Sequence, residues 1–355
     1  MNRLVIAPAA RIALIGTGQV ARALAVAIDR RASRLGSTGL RLAWLCNSRG
    51  QARPEAPEWR GAVDRLDRTE RSQRTDPSPE LADGLDVVID LSASDAVAAR
   101  HAEWLARGMA VVTANKRGLG ESAARADAIL AAGRAGGEYG DSATVGAGLG
   151  GVRRLRELHA CGEPVHAIAG VLSGTLAWLF DRYDSRRPFS ELVREAHAQG
   201  YTEPDPREDI AGHDVARKLR ILARAVGWPV PDGSVEIDPR LRCPEGPEPW
   251  AAIVSLNAGI DELFRQRPDP SARPAVVARA CPERRVIGLE WLVPDDPLAQ
   301  RSGCDNAIVI HSERYRERPL VLRGPGAGPE LTAAAVLDDV LAVLQGRRQR
   351  SAWAA

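Results

Sequence analysis

The sequence has no long hydrophobic run and almost no net charge. No apolar stretch among its 355 residues approaches the roughly 18 residues that a membrane-spanning helix needs, so we expect no membrane partner. The apolar residues 4–10 are too few for a secretory signal peptide. The formal net charge is +2, which gives no reason to expect nucleic acid as a partner. A chain of this length should hold about two domains.

Cysteine is also scarce, and its pattern fits neither a metal site nor a disulfide framework. The cysteines are odd in number and scattered, without metal-ligand spacing. They are Cys46, Cys161, Cys243, Cys281 and Cys304. Free thiols are typical of a reducing compartment, so the sequence predicts a cytoplasmic protein.

Lysine is nearly absent from a chain that is rich in arginine. Of the 48 basic residues, only Lys116 and Lys218 are lysines. Arginine stays protonated, whereas the pKa of a lysine can be lowered until it gives up a proton. The two lysines are therefore candidates for acid–base chemistry, although chance could leave two lysines anywhere.

A glycine turn near the start of the chain is the first motif that indicates a function. An apolar run, residues 11–15, leads into the turn, and a helical apolar pattern follows it. Strand, glycine turn and helix together are the context of a dinucleotide-binding fingerprint. Gly16 would permit the tight turn and Gly18 the close approach of a pyrophosphate. The turn consists of Gly16, Thr17, Gly18, Gln19, Val20 and Ala21. Taken alone, this motif is also found in ordinary turns.

The next strand bears on the choice of cofactor. Residues 40–46 form an apolar run that ends at Asn47, Ser48 and Arg49. No acidic residue stands there to bind the ribose 2′-hydroxyl of NAD, so the sequence favours NADP, with Arg49 directed at the 2′-phosphate. The alternative is that Arg49 is an ordinary loop arginine.

Two further predicted strands place small and polar residues at the same edge of a parallel sheet. The strand at residues 86–91 leads to Ser92, and the strand at residues 110–113 leads to Lys116. Ligands of such sheets bind past the carboxyl ends of the strands, so we expect Ser92 and Lys116 near the nicotinamide. The pattern predicts one helix over residues 95–107 and a polar surface excursion over residues 51–79.

Residues 200–218 combine two prolines, several carboxylates and a lysine. Pro204 and Pro206 favour extended conformations in the residues before them, so we predict no helix in the first half of this stretch. After Gly212 the apolar spacing predicts a helix. Asp214 and Lys218 are four residues apart and should meet on its flank. Taken alone, they are typical of a surface ion pair.

This stretch resembles the signature of homoserine dehydrogenases. Gly-Tyr-Thr-Glu-Pro-Asp-Pro at residues 200–206 is followed by Asp209, Gly212, Asp214 and Lys218. The resemblance extends over residues 11–345 and is to the dehydrogenase half of bifunctional aspartokinase–homoserine dehydrogenases. It implies NADPH-dependent reduction of L-aspartate 4-semialdehyde to L-homoserine, with NAD as a second cofactor. It also implies a homodimer or homotetramer.

The resemblance further implies an α/β fold in which a Rossmann-type doubly wound domain carries an inserted α+β substrate and dimerisation domain with its own sheet. The dinucleotide-binding domain would comprise residues 1–140 with 324–346, and the inserted domain residues 141–323. We expect the polar tail, residues 347–355, to be disordered.

The resemblance assigns roles to individual residues. Lys218 would be the general acid that protonates the alkoxide product, and Lys116 would assist it or hold the cofactor. Glu203, Asp214 and Thr175 would bind the substrate. Gly200, Gly326 and Gly328 would contact the cofactor.

A last implied feature is a sodium ion held by backbone carbonyls. The donors would be Ser142, Val145, Ala147 and Leu149. Ser142 stands where the family commonly has Glu, and Gly150 where it has Pro; without the resemblance this glycine-rich segment is typical of a flexible hinge. Two rival hypotheses remain: an NADPH-binding regulatory protein without catalysis, and a dehydrogenase of another amino-acid semialdehyde.

Overall fold

The computed structural model describes residues 9–35, 39–55, 58–68, 81 and 84–354. The chain divides into two compact units, Met1–Gly148 with Gly328–Ala355, and Leu149–Ala327. Residues 141–148, which the sequence analysis assigns to the second domain, therefore fall in the first unit. The predictions for residues 4–8 and 69–79 lie outside the described residues.

The first unit contains a six-stranded sheet in the order β3-β2-β1-β4-β5-β6. All neighbours are parallel except β3, which is antiparallel to β2. The chain adds β2 on one side of β1 and later adds β4 on the other, so the order reverses between β1 and β4. Ligands bind at such a switch point. The strands are β1 Ala10–Ile15, β2 Leu40–Asn47, β3 Gly50–Ala52, β4 Val87–Asp90, β5 Ala110–Thr113 and β6 Tyr139–Gly140.

Helices flank this sheet, and two of the sequence predictions for them are wrong. Trp59, Val63 and Leu66 recur at helical spacing and are buried, so part of the predicted excursion is a packed helix, α2. The helix predicted over residues 95–107 is divided into two at Arg100. The helices are α1 Gln19–Leu35, α2 Trp59–Arg68, α3 Asp95–Ala99, α4 His101–Ala106, α5 Arg117–Gly120 and α6 Ala123–Arg134.

The second unit contains another six-stranded sheet, in the order β12-β11-β7-β9-β10-β8. Its pairs are antiparallel except for β8 with β10. The strands are β7 Val165–Val171, β8 Val235–Ile237, β9 Arg273–Ala280, β10 Arg285–Leu292, β11 Asn306–Ser312 and β12 Leu320–Gly324. The helices are α7 Gly151–Ala160, α8 Gly174–Arg182, α9 Phe189–Ala198, α10 Arg207–Ile210, α11 His213–Ala225, α12 Pro249–Ser255 and α13 Asn257–Arg265.

Helix α10 corrects the prediction that the first half of the acidic stretch contains no helix. Pro206 has φ −65° and immediately precedes this short helix. The fixed φ of proline suits the start of a helix, where its missing N–H removes no bond. The stretch therefore lacks a helix only up to Pro206.

The last helix, α14 Pro329–Ala354, brings the chain back to the first unit. Val336 and Val340 are fully buried in the same core as Ile12 and Leu24. The backbone of α14 remains helical through Ala354, in the segment where the sequence analysis expects a disordered tail. Among the described residues, no helix is both long and apolar enough to cross a membrane.

Candidate active site

The glycine turn after β1 has the geometry that a dinucleotide requires. Gly16 has φ +101°, and a Cβ added to it would lie 3.0 Å from the carbonyl oxygen of Leu91, so a side chain is excluded there. A Cβ on Gly18 would have no atom within 4 Å, which leaves open space beside the start of α1. Backbone N–H groups at a helix start attract phosphate. The turn therefore fits a pyrophosphate.

Polar bonds connect this turn to the end of β2. Asn47 Nδ2 donates to Thr17 Oγ1 at 2.9 Å, and Asn47 Oδ1 accepts from the backbone N–H of Arg49 at 2.8 Å. The Arg49 guanidinium donates to the backbone carbonyl of Asp67 at 2.7 Å. It also lies 3.5 Å from the Asp67 carboxylate. Arg49 is thus at the predicted position, but it has an acidic neighbour.

Asp67 was missed by the sequence analysis. It lies near the end of α2, where its carboxylate accepts from the Thr17 hydroxyl at 3.3 Å and forms an ion pair with Arg22 of α1. Residues 47–49 contain no acidic side chain, as expected. Helix α2 nevertheless brings the Asp67 carboxylate close to the Arg49 guanidinium. The helical spacing of Trp59, Val63 and Leu66 was the signal that could have located α2.

Ser92 and Lys116 follow β4 and β5, and a buried carboxylate organises this edge of the sheet. Asp90, at the end of β4, accepts from the Ser92 hydroxyl at 2.6 Å and from Asn115 Nδ2 at 2.9 Å. His101 Nε2 lies 3.0 Å from the same carboxylate. Asn115, which precedes Lys116, was not predicted to take part. Asp90 thus fixes the residues that follow two neighbouring strands.

In the second unit, Lys218 lies in the middle of α11, one turn after Asp214. Its Nζ donates to the Leu172 carbonyl at 2.7 Å and lies 2.9 Å from the Asp214 carboxylate. The side chain of Lys218 is 11% exposed and that of Asp214 is 39% exposed. Asn306 Nδ2 donates to the same carbonyl at 3.3 Å. This is a bonded and largely buried ammonium, unlike that of an exposed surface pair.

The loop before α11 is closed by Asp209, which sequence reasoning named only as part of the acidic stretch. Its carboxylate accepts from the backbone N–H of Glu203 at 2.8 Å and lies 3.4 Å from the Thr175 hydroxyl. That hydroxyl donates to the Tyr201 carbonyl at 2.7 Å. Burial raises the pKa of Asp209, and the nearby Glu203 carboxylate adds to the rise. Asp209 therefore joins two of the predicted substrate residues.

Three glycines predicted to contact the cofactor have different surroundings. Gly200 has φ +76° just after α9, with no atom within 4 Å of an added Cβ. Gly328 has φ +123°, and its carbonyl accepts from the Thr332 N–H at 3.0 Å. Gly326 is packed against Asn306, because an added Cβ would lie 2.1 Å from its side chain.

The segment predicted to hold sodium is buried at Ser142, Val145 and Ala147. Ser142 bonds to Asp339 through both its N–H and its hydroxyl, each at 2.8 Å. Ala147 has φ +46°. In the described residues no group of three or more His, Cys, Asp or Glu side chains is arranged for a metal; carbonyl coordination of sodium, with Leu149 in the second unit, stays a prediction.

Comparison with known proteins identifies the family. Residues 16–139 match the model of the homoserine dehydrogenase NAD-binding domain, and residues 152–341 match that of homoserine dehydrogenase. A homoserine dehydrogenase of Emericella nidulans is 33% identical over 319 residues, which cover 82% of this chain and 85% of that protein. The bifunctional aspartokinase/homoserine dehydrogenase of Daucus carota is 37% identical over 72% of this chain.

The chain spans only 29% of the length of the carrot relative. Among solved structures, a mutant of a hyperthermophilic archaeal homoserine dehydrogenase in complex with NADPH superposes with a TM-score of 0.75 at 22% identity, covering 95% of this chain and 98% of that chain. The predicted fold class, a Rossmann-type domain with a second sheet domain, is confirmed. The predicted family is confirmed as well: the chain belongs to the homoserine dehydrogenase family, whose members are nicotinamide-dependent oxidoreductases.

Proposed function

We propose that this chain reduces L-aspartate 4-semialdehyde to L-homoserine. The observation that carries the proposal is the position of Lys218, one of two lysines in the chain. Its ammonium is largely buried and bonded to both Asp214 and the Leu172 carbonyl. A lysine that was merely a charged surface residue would need neither this burial nor these two bonds.

The proposed cofactor is NADPH. Gly16, Thr17 and Gly18, with Gln19 and Val20 at the start of α1, would hold its pyrophosphate, and Arg49 would bind its 2′-phosphate. The open space beside Gly18 supports the first assignment, and the absence of a carboxylate in residues 47–49 supports the second. Ser92 and Lys116 would lie toward the nicotinamide, with Ser92 fixed by Asp90. Gly200, Gly326 and Gly328 would complete the cofactor contacts.

The substrate carries an ammonium and an aldehyde, which require different partners. Glu203 and Asp214 would attract the ammonium, and Thr175 would contact the substrate beside them. The bond from the Glu203 N–H to Asp209 supports this grouping, since it connects Glu203 to the Thr175 hydroxyl.

When bound, the cofactor would supply a hydride to the aldehyde carbon. The new alkoxide needs a proton, and Lys218 would donate it as a general acid, a role that typically contributes about 10²–10⁴-fold to the rate. Asp214 stabilises the protonated amine before donation because its carboxylate is in contact with Nζ. The Leu172 carbonyl fixes the direction of the amine. Lys116 is proposed either to assist or to hold the cofactor.

Three further assignments complete the proposal. The first unit would act as the dinucleotide-binding domain, and the second as the substrate and dimerisation domain of a homodimer or homotetramer. Residues 142–149 would hold sodium through backbone carbonyls. The scattered cysteines favour a reducing, cytoplasmic location.

The decisive test is NADPH oxidation, followed by absorbance, with L-aspartate 4-semialdehyde as substrate. We expect turnover that is lost in Lys218→Met, with L-homoserine as the product by mass. Tight NADPH binding without turnover would instead indicate a regulatory protein. Faster turnover of another amino-acid semialdehyde would keep the dehydrogenase class and overturn the substrate.

A further inference from the structure

We propose that Asp67 limits the preference for NADPH over NADH, by competing with the 2′-phosphate for Arg49 and Arg22. The inference rests on the proposed function only in requiring a nicotinamide dinucleotide cofactor. It concerns a residue outside the glycine turn and outside the segment that follows β2.

Asp67 lies where the ribose end of the cofactor is expected. Its carboxylate accepts from the hydroxyl of Thr17, which stands between the two glycines of the turn. Thr17 in turn accepts from Asn47, at the end of β2. In dinucleotide-binding folds the group that reads the adenosine ribose is positioned beside these two segments. Helix α2 thus delivers a carboxylate to a place usually filled from β2.

Asp67 already holds the cations that a 2′-phosphate would need. Arg49 donates to the backbone carbonyl of Asp67 at 2.7 Å and lies 3.5 Å from its carboxylate. Arg22 forms an ion pair with the same carboxylate. Within the described residues, the Asp67 carboxylate therefore offsets the positive charge of both Arg22 and Arg49 beside the glycine turn.

The exposed fractions of the three side chains indicate which of them can move when a ligand binds. The side chains of Arg22 and Arg49 are 49% and 44% exposed, whereas that of Asp67 is 23% exposed. The arginines can swing toward a ligand, but α2 and Thr17 hold the carboxylate in place. A phosphate monoester carries about −1.5 to −2 charges at neutral pH, so Asp67 repels it. A 2′-hydroxyl can instead donate a hydrogen bond to the carboxylate.

The consequence is a balance between opposing residues. Arg49 and Arg22 favour NADPH, and Asp67 favours NADH. The chain should accept both cofactors, with NADPH preferred by a smaller margin than its arginines alone would produce.

Binding of cofactor fragments tests this without catalysis. Titration calorimetry would measure the Kd of adenosine 2′,5′-bisphosphate and of 5′-AMP, which differ only in the 2′-phosphate. The variants are Asp67→Asn, which keeps an acceptor for Thr17, and Asp64→Asn as the matched control. Asp64 lies one turn earlier on α2, at 3.9 Å from Arg22. The Asp64→Asn substitution removes the same negative charge as Asp67→Asn, but at a greater distance from the two arginines.

We expect Asp67→Asn to strengthen binding of adenosine 2′,5′-bisphosphate relative to 5′-AMP by roughly fivefold, the equivalent of about 1 kcal/mol for a partly exposed charge pair. Asp64→Asn should change that ratio by less than about twofold, because solvent and salt screen the longer distance. Adding Arg49→Ala to Asp67→Asn should abolish the gain, as expected for residues in contact.

An unchanged ratio in Asp67→Asn, or an equal change in Asp64→Asn, would overturn the inference. If Asp67→Asn failed to fold by circular dichroism, Asp67→Ser would replace it, since a hydroxyl can still accept from Thr17. A shifted ratio in a protein without dehydrogenase turnover would leave this inference standing while the proposed function failed. Dehydrogenase turnover with an unshifted ratio of Kd values would overturn this inference and leave the proposed function standing.

Discussion

Lys218 differs from an exposed basic residue in how many fixed groups surround its charge. The Leu172 carbonyl and the Asp214 carboxylate both contact Nζ, and Asn306 shares the same carbonyl. A lysine ammonium can transfer a proton, whereas a guanidinium keeps its proton at any ordinary pH. The proposed chemistry therefore depends on the kind of cation and not on its charge alone.

Lys218→Arg should lower kcat by about 10²–10⁴-fold, because the charge is retained but the transferable proton is lost. NADPH affinity and Tm should change little. Steady-state kinetics and fluorescence titration would measure these quantities. Arg265→Lys is the matched control, since it exchanges arginine and lysine in an exposed ion pair with Glu262 on a helix. This variant should leave kcat unchanged. Near-normal turnover of Lys218→Arg would refute the proton-donor role.

The Asp209 carboxylate provides a second residue-scale prediction, on pH. Its pKa is raised, chiefly by burial, so the folded state binds its proton more tightly than the unfolded state does. Its contribution to stability is full below the unfolded pKa and is lost as the pH rises through the folded pKa. At pH 7 we therefore expect Asp209→Asn, which keeps an acceptor for the Glu203 N–H, to have a higher Tm than the wild type.

That difference in Tm should narrow as the pH falls below the raised pKa of Asp209 in the folded state, because the wild-type carboxyl is then protonated. Asp205→Asn serves as the control of opposite sign. The Arg207 guanidinium lowers the pKa of Asp205, so its contribution is present above the unfolded pKa and is lost on acidification. Asp205→Asn should lower Tm at pH 7. A Tm difference for Asp209→Asn that widens toward acid would contradict the assignment.

At the same scale, the sequence identifies residues in local motifs and misses those that act across distance. Gly16 and Gly18 are recognised because a tight turn and a close approach need glycine. Asp67 and Asn115 have no such local signature. They reach the site through α2 and through the buried Asp90, and only the folded chain shows which residues they contact.

At the scale of the elements, we expect the two glycines of the turn after β1 to have different roles: Gly16 is required for folding, and Gly18 for cofactor binding. Gly16→Ala should lower Tm, because the new Cβ would lie 3.0 Å from the Leu91 carbonyl oxygen at φ +101°. Gly18→Ala should leave Tm nearly unchanged, since no atom lies within 4 Å of its Cβ, yet should weaken NADPH binding by filling the space for the pyrophosphate. Thermal unfolding and fluorescence titration distinguish the two effects. Tight NADPH binding by Gly18→Ala would exclude the pyrophosphate from this turn.

Short helices are the elements that sequence patterns predict least well. Arginine-rich helix α2 hides its apolar face among charges, and α10 begins directly after a proline. Both were assigned to loops because their polar composition outweighed the few apolar contacts that fix them. The long apolar strands and α11 were predicted because their periodicity extends over several turns or pairs.

At the scale of the whole molecule, the first unit is built from two distant parts of the chain. Helix α14 returns after the entire second unit and completes a core that β1 and α1 begin. The family resemblance implied this return, whereas the glycine turn at residues 324–328 indicated from sequence alone only a loop before a helix. Pairing between residues so far apart cannot be inferred from local periodicity.

One buried contact secures this return and provides a whole-molecule test. Asp339 of α14 accepts from both the N–H and the hydroxyl of Ser142, 197 residues away. Asp339→Ala would leave a buried donor unsatisfied, which typically costs about 1–3 kcal/mol. Urea unfolding of the first unit should show that loss. Asp338, the exposed neighbour on the same helix, is the control, and Asp338→Ala should stay within about 0.5 kcal/mol. Equal stability of the two variants would mean that apolar packing alone holds α14 in place.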